Sequence, residues 1–156
     1  MEDQKMKEPV SMFVLFARMV SITAKNLEKE FGEKGLEVLA ESVREFGMAR
    51  GRDIAERAKA NGEDNSLHNY LKNYDMERSD LFGYTNEYTP DEIHQEFTRC
   101  VFAETWMAAD EEKYGRIYCE NIDPAIAAGF NKDMECIHDE IMYKDKRCTF
   151  CFRMKK

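Results

Sequence analysis

The sequence predicts an α+β fold in which long N-terminal helices pack on a C-terminal antiparallel sheet. Apolar residues recur at helical spacing mainly within residues 1–75, whereas alternating patterns typical of strands are gathered within residues 76–156, mixed with short helices. No internal repeat or low-complexity linker divides the chain. Its 156 residues therefore suit a single domain, 1–156, with one sizeable core.

Two long helices begin the predicted order. Apolar residues at helical spacing predict the first over residues 12–31, ended by Gly32. An apolar stripe predicts the second over residues 36–60. A shorter helix is expected over about 64–74.

Gly47 and Gly51 are four residues apart in the second helix, so they share one face. Because each glycine costs about 1 kcal/mol of helix propensity relative to alanine, the pair indicates a role in packing or ligand access. Close approach of another backbone is one reading. A homodimer that uses this face is another.

The second half begins with a predicted hairpin. Aromatic residues at even spacing predict a strand over 81–88, and 93–100 is the candidate second strand. The intervening residues 89–92 have type I turn chemistry, with Pro90 in the second position. A helix is predicted next, over 101–113.

A short helix and a second hairpin complete the order. Asp123 is a good helix N-cap and Pro124 suits a first helical turn, so the pair predicts a short helix that Gly129 ends. Two more strands are predicted at about 134–142 and 147–153.

Charge and hydropathy exclude several kinds of partner. A net charge of -8 and a pI near 5.0 oppose attraction to nucleic acid and to anionic membranes. No apolar run reaches the ~20 residues that span a bilayer, and the N-terminus lacks the apolar core of a signal peptide. We expect a cytoplasmic protein that binds a small molecule.

The five cysteines disfavour a disulfide framework, because their number is odd and the chain is not cysteine-dense. Cys148 and Cys151 form a CxxC pattern, which by itself suggests a redox pair or a zinc site. On a strand, however, their side chains would point to opposite faces. We therefore favour a structural, buried Cys148.

Cys119 and Asp123 form the candidate catalytic pair. Cys119 comes just before the helix predicted to begin at Asp123, where the helix dipole and free N–H groups lower the pKa of a thiol. A thiolate nucleophile or a metal ligand is chemically reasonable there. Asp123 could orient a substrate, act as general base or bind a cation, although an ordinary N-cap also explains it.

A zinc site is a further hypothesis. His94 and Cys100 would share one face of a regular strand, and with Cys119 they make a His/Cys/Cys donor set that suits zinc. The spacing matches no compact zinc signature. His68 and His138 are isolated in polar surroundings, so we interpret both as surface or satisfied histidines.

Ordered segments of the chain resemble the L-2-amino-thiazoline-4-carboxylic acid hydrolase family. In the second half these segments are residues 97–104 with Cys100, 115–123 with Cys119 and Asp123, 128–131, and 148–152 with Cys148. Residues 31–36 and 46–52 are similar to the helical half of the family. Residues 144–146 depart from it, because this turn usually carries glycine in similar proteins. A more distant likeness is to 4-vinyl-reductase-type ligand-binding domains.

The resemblance implies hydrolysis of a cyclic isothiourea, L-2-amino-thiazoline-4-carboxylate, to a carbamoyl-cysteine. Either Cys119, with Cys100 nearby, attacks the ring carbon between nitrogen and sulfur, or a divalent metal such as zinc activates water for the same attack. Asp123 would polarise the amidine or deliver a proton.

The same resemblance implies a site for the rest of the substrate. Arg50 or Arg52, turned inward beside the glycine pair, would bind the substrate carboxylate, and His94 is a further substrate-binding candidate. The alternative function is a non-catalytic sensor domain that binds a small molecule or a metal. Both functions require a pocket between the helices and the sheet.

Overall fold

The computed structural model describes residues 8–156 and has the predicted α+β class. Helix α1 spans Met12–Phe31, as predicted, and α2 spans Glu33–Ala60, which begins three residues earlier than expected. The Ser11 side chain caps α1 by accepting a hydrogen bond from the Phe13 N–H at 3.1 Å. No helix within residues 8–156 is long and apolar enough to cross a bilayer.

The sheet contains four antiparallel strands in the order β1-β2-β4-β3. Their bounds are Phe82–Tyr88 for β1, Glu92–Cys100 for β2, Met134–His138 for β3 and Cys148–Met154 for β4. Both predicted hairpin regions are therefore confirmed, although β3 ends four residues before the predicted limit. Residues after β3 form the short helix α5, Met142–Asp145, instead of continuing the strand.

The helices of the second half differ from the prediction. Helix α3 spans Val101–Ala108 and stops before a turn in which Asp110 has a φ of 56°. Helix α4 then runs without interruption over Glu112–Phe130 and contains Pro124. The expected helix start at Asp123 is therefore wrong.

Tertiary packing explains why α4 continues through its proline. Tyr118, Ile122, Ile126 and Phe130 recur every four residues and are buried on one face. Proline lacks one backbone donor and disfavours a helix interior, but burial of this stripe outweighs the local cost. The weaker apolar pattern at 64–74 gives only two short 3₁₀ turns, Leu67–Asn69 and Leu71–Asn73, instead of the predicted helix.

The glycines of α2 allow this helix to cross α4 at close range. A methyl group at Gly47 would lie 2.6 Å from the Ala125 Cβ, and one at Gly51 would overlap the Ile126 carbonyl oxygen. The predicted close backbone approach is confirmed. The same contact corrects the expectation that a homodimer would use this face, because α4 already covers it, whereas a homodimer through another surface stays a prediction.

One face of the sheet packs on the helices and the other is open to solvent. Alternate residues of β4 are buried, Cys148, Phe150 and Phe152, and their neighbours are more exposed. The helical end of the core is fixed by Trp106, which is fully buried and donates its indole N–H to the Ala17 carbonyl at 2.8 Å.

Candidate active-site cavity

A cavity of about 450 Å³ lies between the inner face of the sheet and helices α2 and α4. Aromatic side chains form much of its wall. They are Tyr74, Phe82, Tyr84, Tyr88, Phe97, Phe102, Tyr118, Phe150 and Phe152. Its polar lining includes Arg50, Cys100, Cys119, Asp123 and His138.

Asp123 and Cys119 face the cavity from the middle of α4. They are four residues apart in one continuous helix, so their side chains share a face. Desolvation raises the pKa of Asp123 to about 6, and the positive charge of Arg50 opposes this shift. The carboxylate makes no hydrogen bond within residues 8–156 that contributes to its pKa.

The Cys119 thiol does not have the environment that the sequence predicted. Because α4 begins at Glu112, Cys119 lies in the helix interior and receives no stabilisation from a helix N-terminus. Desolvation raises its pKa strongly, and the hydroxyl of Tyr143, 3.5 Å from Sγ, only partly offsets this effect. The thiol is therefore protonated at neutral pH.

Cys100, and not Cys119, lies at the N-terminus of a helix. It is the N-cap residue of α3, and the backbone N–H groups of Phe102 and Ala103 lower its pKa. Desolvation is the larger effect, so the pKa of Cys100 is still raised. This thiol also lines the cavity.

Arg50 and Arg52 point to different sides of α2. The Arg50 side chain lines the cavity and is only 14% exposed, whereas Arg52 is exposed and does not contribute to the cavity wall. The Arg50 guanidinium donates two hydrogen bonds to Asp75, at 2.9 and 2.7 Å, and lies 5.4 Å from the centre of the Tyr74 ring. The prediction that Arg52 binds a substrate in this cavity is therefore wrong.

His94 and Cys100 face opposite sides of the sheet because β2 is irregular between them. Gly83 pairs with Arg99 but Tyr84 pairs with Phe97, so β2 has one extra residue and its alternation is reversed before Cys100. His94 therefore faces solvent on the outer side of the sheet. The predicted set of His94, Cys100 and Cys119 does not form.

One group of three metal-binding side chains occurs within residues 8–156, and it lies on that outer face. The donor atoms of Glu92, His94 and Cys151 are within 4.8 Å of one another. Arg153 approaches the same Glu92 carboxylate at 3.8 Å. This group is on the opposite face of the sheet from Asp123, so it cannot supply a metal-bound water to the cavity.

Cys148 and Cys151 lie on opposite faces of β4, as predicted from strand alternation. Cys148 is buried and borders the cavity, and Cys151 belongs to the outer face. All five cysteines are free. A CxxC redox pair would require both sulfurs on one side of the strand.

His138 is a cavity residue that the sequence interpretation missed. Its ring stacks on Phe150 with centroids 4.3 Å apart, and its Nε2 is buried without a hydrogen-bond partner within residues 8–156. Desolvation lowers its pKa, so the ring is neutral. The sequence did contain a signal for this position. His138 follows Met134 and Cys136 at every second residue of β3, so the three side chains share the inner face of the sheet.

Comparison with known proteins gives one assignment. The sequence model of the L-2-amino-thiazoline-4-carboxylic acid hydrolase family matches residues 12–152. No curated protein and no solved structure matches the chain significantly. Because the matched region spans nearly the whole chain and includes the cavity lining, the chain belongs to the L-2-amino-thiazoline-4-carboxylic acid hydrolase family.

Proposed function

We propose that this chain is a hydrolase that opens a small cyclic amidine, such as L-2-amino-thiazoline-4-carboxylate, to a carbamoyl-cysteine. The observation that carries the proposal is the Asp123 carboxylate, which faces an aromatic cavity and has its pKa raised to about 6. Such a pKa leaves the group mostly ionised at neutral pH yet able to accept a proton. Membership of the family supports this reaction class.

The reaction needs a nucleophile at the ring carbon between nitrogen and sulfur. Water adds to this carbon, and its oxygen becomes the carbamoyl oxygen. The bond from this carbon to the ring sulfur or to the ring nitrogen then breaks, and that atom takes a proton to become the thiol or the amine of the product. The site must therefore bind the cationic amidinium and remove a proton from the attacking water. A carboxylate can do both, because it pairs with the amidinium and accepts the proton of water. We assign both roles to Asp123.

Arg50 tunes the pKa of this carboxylate in the proposed mechanism. Its positive charge lowers the pKa that desolvation raises, so Asp123 remains ionised. Two donors of the guanidinium already bind Asp75. We therefore assign to Arg50 the role of balancing the charge of Asp123, in place of the predicted role of binding the substrate carboxylate.

A covalent route through a cavity thiol is the second mechanism. Cys119 is protonated, so a base must remove its proton before attack. Asp123 lies one helical turn away on the same face of α4. Cys100 is the second candidate nucleophile because two backbone N–H groups favour its thiolate.

The test is hydrolysis of L-2-amino-thiazoline-4-carboxylate by the wild type and four variants. We expect Asp123→Asn to lower kcat at least about 100-fold, the usual contribution of a general base. Cys119→Ser and Cys100→Ser distinguish the routes, since only a covalent mechanism loses its nucleophile. Cys151→Ser on the outer face is the control and should leave turnover unchanged.

Two outcomes would contradict the proposal. Turnover by Asp123→Asn at the wild-type rate would exclude Asp123 as base. A folded wild type that binds the substrate without converting it would favour the sensor function, which the protonated state of Cys119 also supports. Unfolding midpoints of all five proteins would show that the variants are folded.

A further inference from the structure

The outer face of the sheet brings together three side chains of different metal-binding types. His94 on β2 lies directly opposite Cys151 on β4 in the antiparallel register. Glu92 is two residues before His94, so its side chain is on the same face of β2. The donor atoms of the imidazole, the thiol and the carboxylate are all within 4.8 Å of one another. The pairing of two strands therefore holds the three donors in one place.

The spacing of these donors suits one tetrahedral ion. Zinc binds nitrogen and oxygen at about 2.0–2.2 Å and sulfur at about 2.3 Å, so two donors of one zinc ion lie about 3.3–3.8 Å apart. The Nε2 of His94 is 2.9 Å from the Oε2 of Glu92. These two side chains are 48% and 34% exposed, so they have room to rotate. Small rotations therefore bring all three donors to zinc distances, with water as the fourth ligand.

The charges around the Cys151 sulfur favour a cation. Three carboxylates act on this sulfur and one guanidinium opposes them; they are Glu92, Glu135 and Asp139, and the guanidinium belongs to Arg153. Arg153 donates a hydrogen bond to Glu135 at 2.7 Å and lies farther, 3.8 Å, from the Oε1 of Glu92. One oxygen of Glu92 can therefore bind a metal while the other keeps its contact with Arg153, as the carboxylate ligands of metal sites commonly do.

The donor types select the ion. Thiolate and imidazole bind zinc and similar transition metals, whereas magnesium and calcium prefer shells of oxygen donors. Glu92 is the one carboxylate of this group. A metal ion that binds here replaces the proton of the Cys151 thiol, which is released to solvent. The group is therefore suited to Zn²⁺ and not to Mg²⁺ or Ca²⁺.

We propose that Glu92, His94 and Cys151 form a zinc site that links β2 to β4 on the outer face of the sheet. The site is separate from the cavity, because Cys148 borders the cavity and Cys151 is on the opposite face of β4. A zinc ion there does not contact Asp123. It stabilises the fold instead, because the two strands meet only in the folded chain. The zinc site does not depend on the proposed function.

Titration of the full, metal-free chain with Zn²⁺, Co²⁺ and Mg²⁺ at pH 7.5 tests the site. We expect one Zn²⁺ per chain by calorimetry, and at least about 100-fold weaker binding of Mg²⁺. The Co²⁺ complex should show the near-ultraviolet charge-transfer band of a thiolate ligand. Saturation with Zn²⁺ should raise the midpoint of urea unfolding, because the ion binds the folded state.

Single variants assign the ligands. Cys151→Ser and His94→Gln should each raise the Kd of Zn²⁺ at least about tenfold, and Cys151→Ser should also remove the charge-transfer band. The matched controls are Cys100→Ser, a thiol of the cavity, and His68→Gln, an exposed histidine outside the site. Both controls should keep the wild-type affinity for Zn²⁺.

Alkylation of the wild type provides a test that no variant can disturb. Zn²⁺ should slow the reaction of iodoacetamide with Cys151 at least about tenfold, because the bound thiolate is no longer free to react. The reaction of Cys119 should be unchanged. Peptide mass spectrometry measures both rates.

Three results would overturn the inference. They are a folded wild type that binds no stoichiometric Zn²⁺, alkylation of Cys151 at the same rate with and without Zn²⁺, and Zn²⁺ binding that Cys100→Ser abolishes but Cys151→Ser does not. The last result would place the metal in the cavity. None of these measurements uses turnover, so failure of the proposed hydrolysis would leave the zinc site unaffected.

Discussion

Asp123 places function and stability in conflict at the scale of one residue. Its pKa is about 6 in the folded chain, whereas an aspartate in an unfolded chain has a pKa of about 3.9. The folded state therefore binds the proton more tightly than the unfolded state does. Stability falls as pH rises from about 4 to about 6, and ionisation costs up to about 3 kcal/mol above that range.

Replacing this carboxyl should stabilise the protein in a pH-dependent way. We expect Asp123→Asn to raise the free energy of unfolding by up to about 3 kcal/mol at pH 8, because the amide carries no charge to desolvate. The gain should become small near pH 4, where the acid is protonated in the folded state and about half protonated in the unfolded state. Urea unfolding of both proteins at the two pH values measures it, and an equal gain at both would contradict the assigned pKa.

The cavity thiols should react slowly for the same reason of desolvation. Alkylation requires the thiolate, and the pKa of Cys119 is raised strongly. Cys151, on the outer face of the sheet, has a smaller upward shift that desolvation also causes. We expect iodoacetamide at pH 7.5 to modify Cys119 at least about tenfold more slowly than Cys151, as followed by peptide mass spectrometry.

Faster modification of Cys119 than of Cys151 would contradict this prediction. It would show an activated thiolate in the cavity and would favour the covalent route over direct attack by water.

At the scale of elements, the crossing of α2 and α4 builds the cavity. Arg50 comes from α2, and Cys119 and Asp123 come from α4, so the distance between these helices determines how the charges meet. Gly51 allows the close approach because a side chain there would overlap the α4 backbone. A change at this crossing should affect both stability and the cavity.

Gly51→Ala should lower the free energy of unfolding by about 3 kcal/mol, at the upper end of the range for overpacked sites, because α4 backbone cannot move easily. The matched control is Gly62→Asn, where φ is 76° and nothing lies within 4 Å of an added Cβ. Asparagine tolerates this conformation, so the control should lose about 1 kcal/mol or less. Equal losses in urea unfolding would show that the helix crossing is not tight.

At the scale of the whole molecule, the prediction of one folding unit is open to direct measurement. Trp106 is the single tryptophan and is fully buried in the helical part of the core, whereas the sheet lies on the other side of the cavity. A single unit predicts that Trp106 fluorescence and far-ultraviolet circular dichroism give coincident urea transitions. Separate midpoints would indicate that the helical and mixed halves unfold independently.

Periodicity in the sequence determined the α+β class, the bounds of α1 and the division of Cys148 from Cys151 across β4. These features follow from which face of an element is apolar, and that information is local. The glycine pair of α2 also indicated a close contact before its partner helix was known. Residues that bring chemistry to the cavity were only partly predictable, because Arg50, Cys100, Cys119 and Asp123 were identified without their mutual arrangement.

Tertiary structure decided the features on which the chemistry depends. Packing of α4 on α2 carried the helix through Pro124, which moved Cys119 from an expected helix N-terminus to a desolvated interior. An extra residue in β2 after Phe97 turned Cys100 inward, to the side of the sheet opposite His94. These outcomes depend on contacts between segments far apart in sequence. Helix caps, turn residues and alternating patterns indicate only the local conformation of residues that are adjacent in sequence. The ionisation of each cavity group follows from those contacts, since burial and opposing charge exist only in the folded chain.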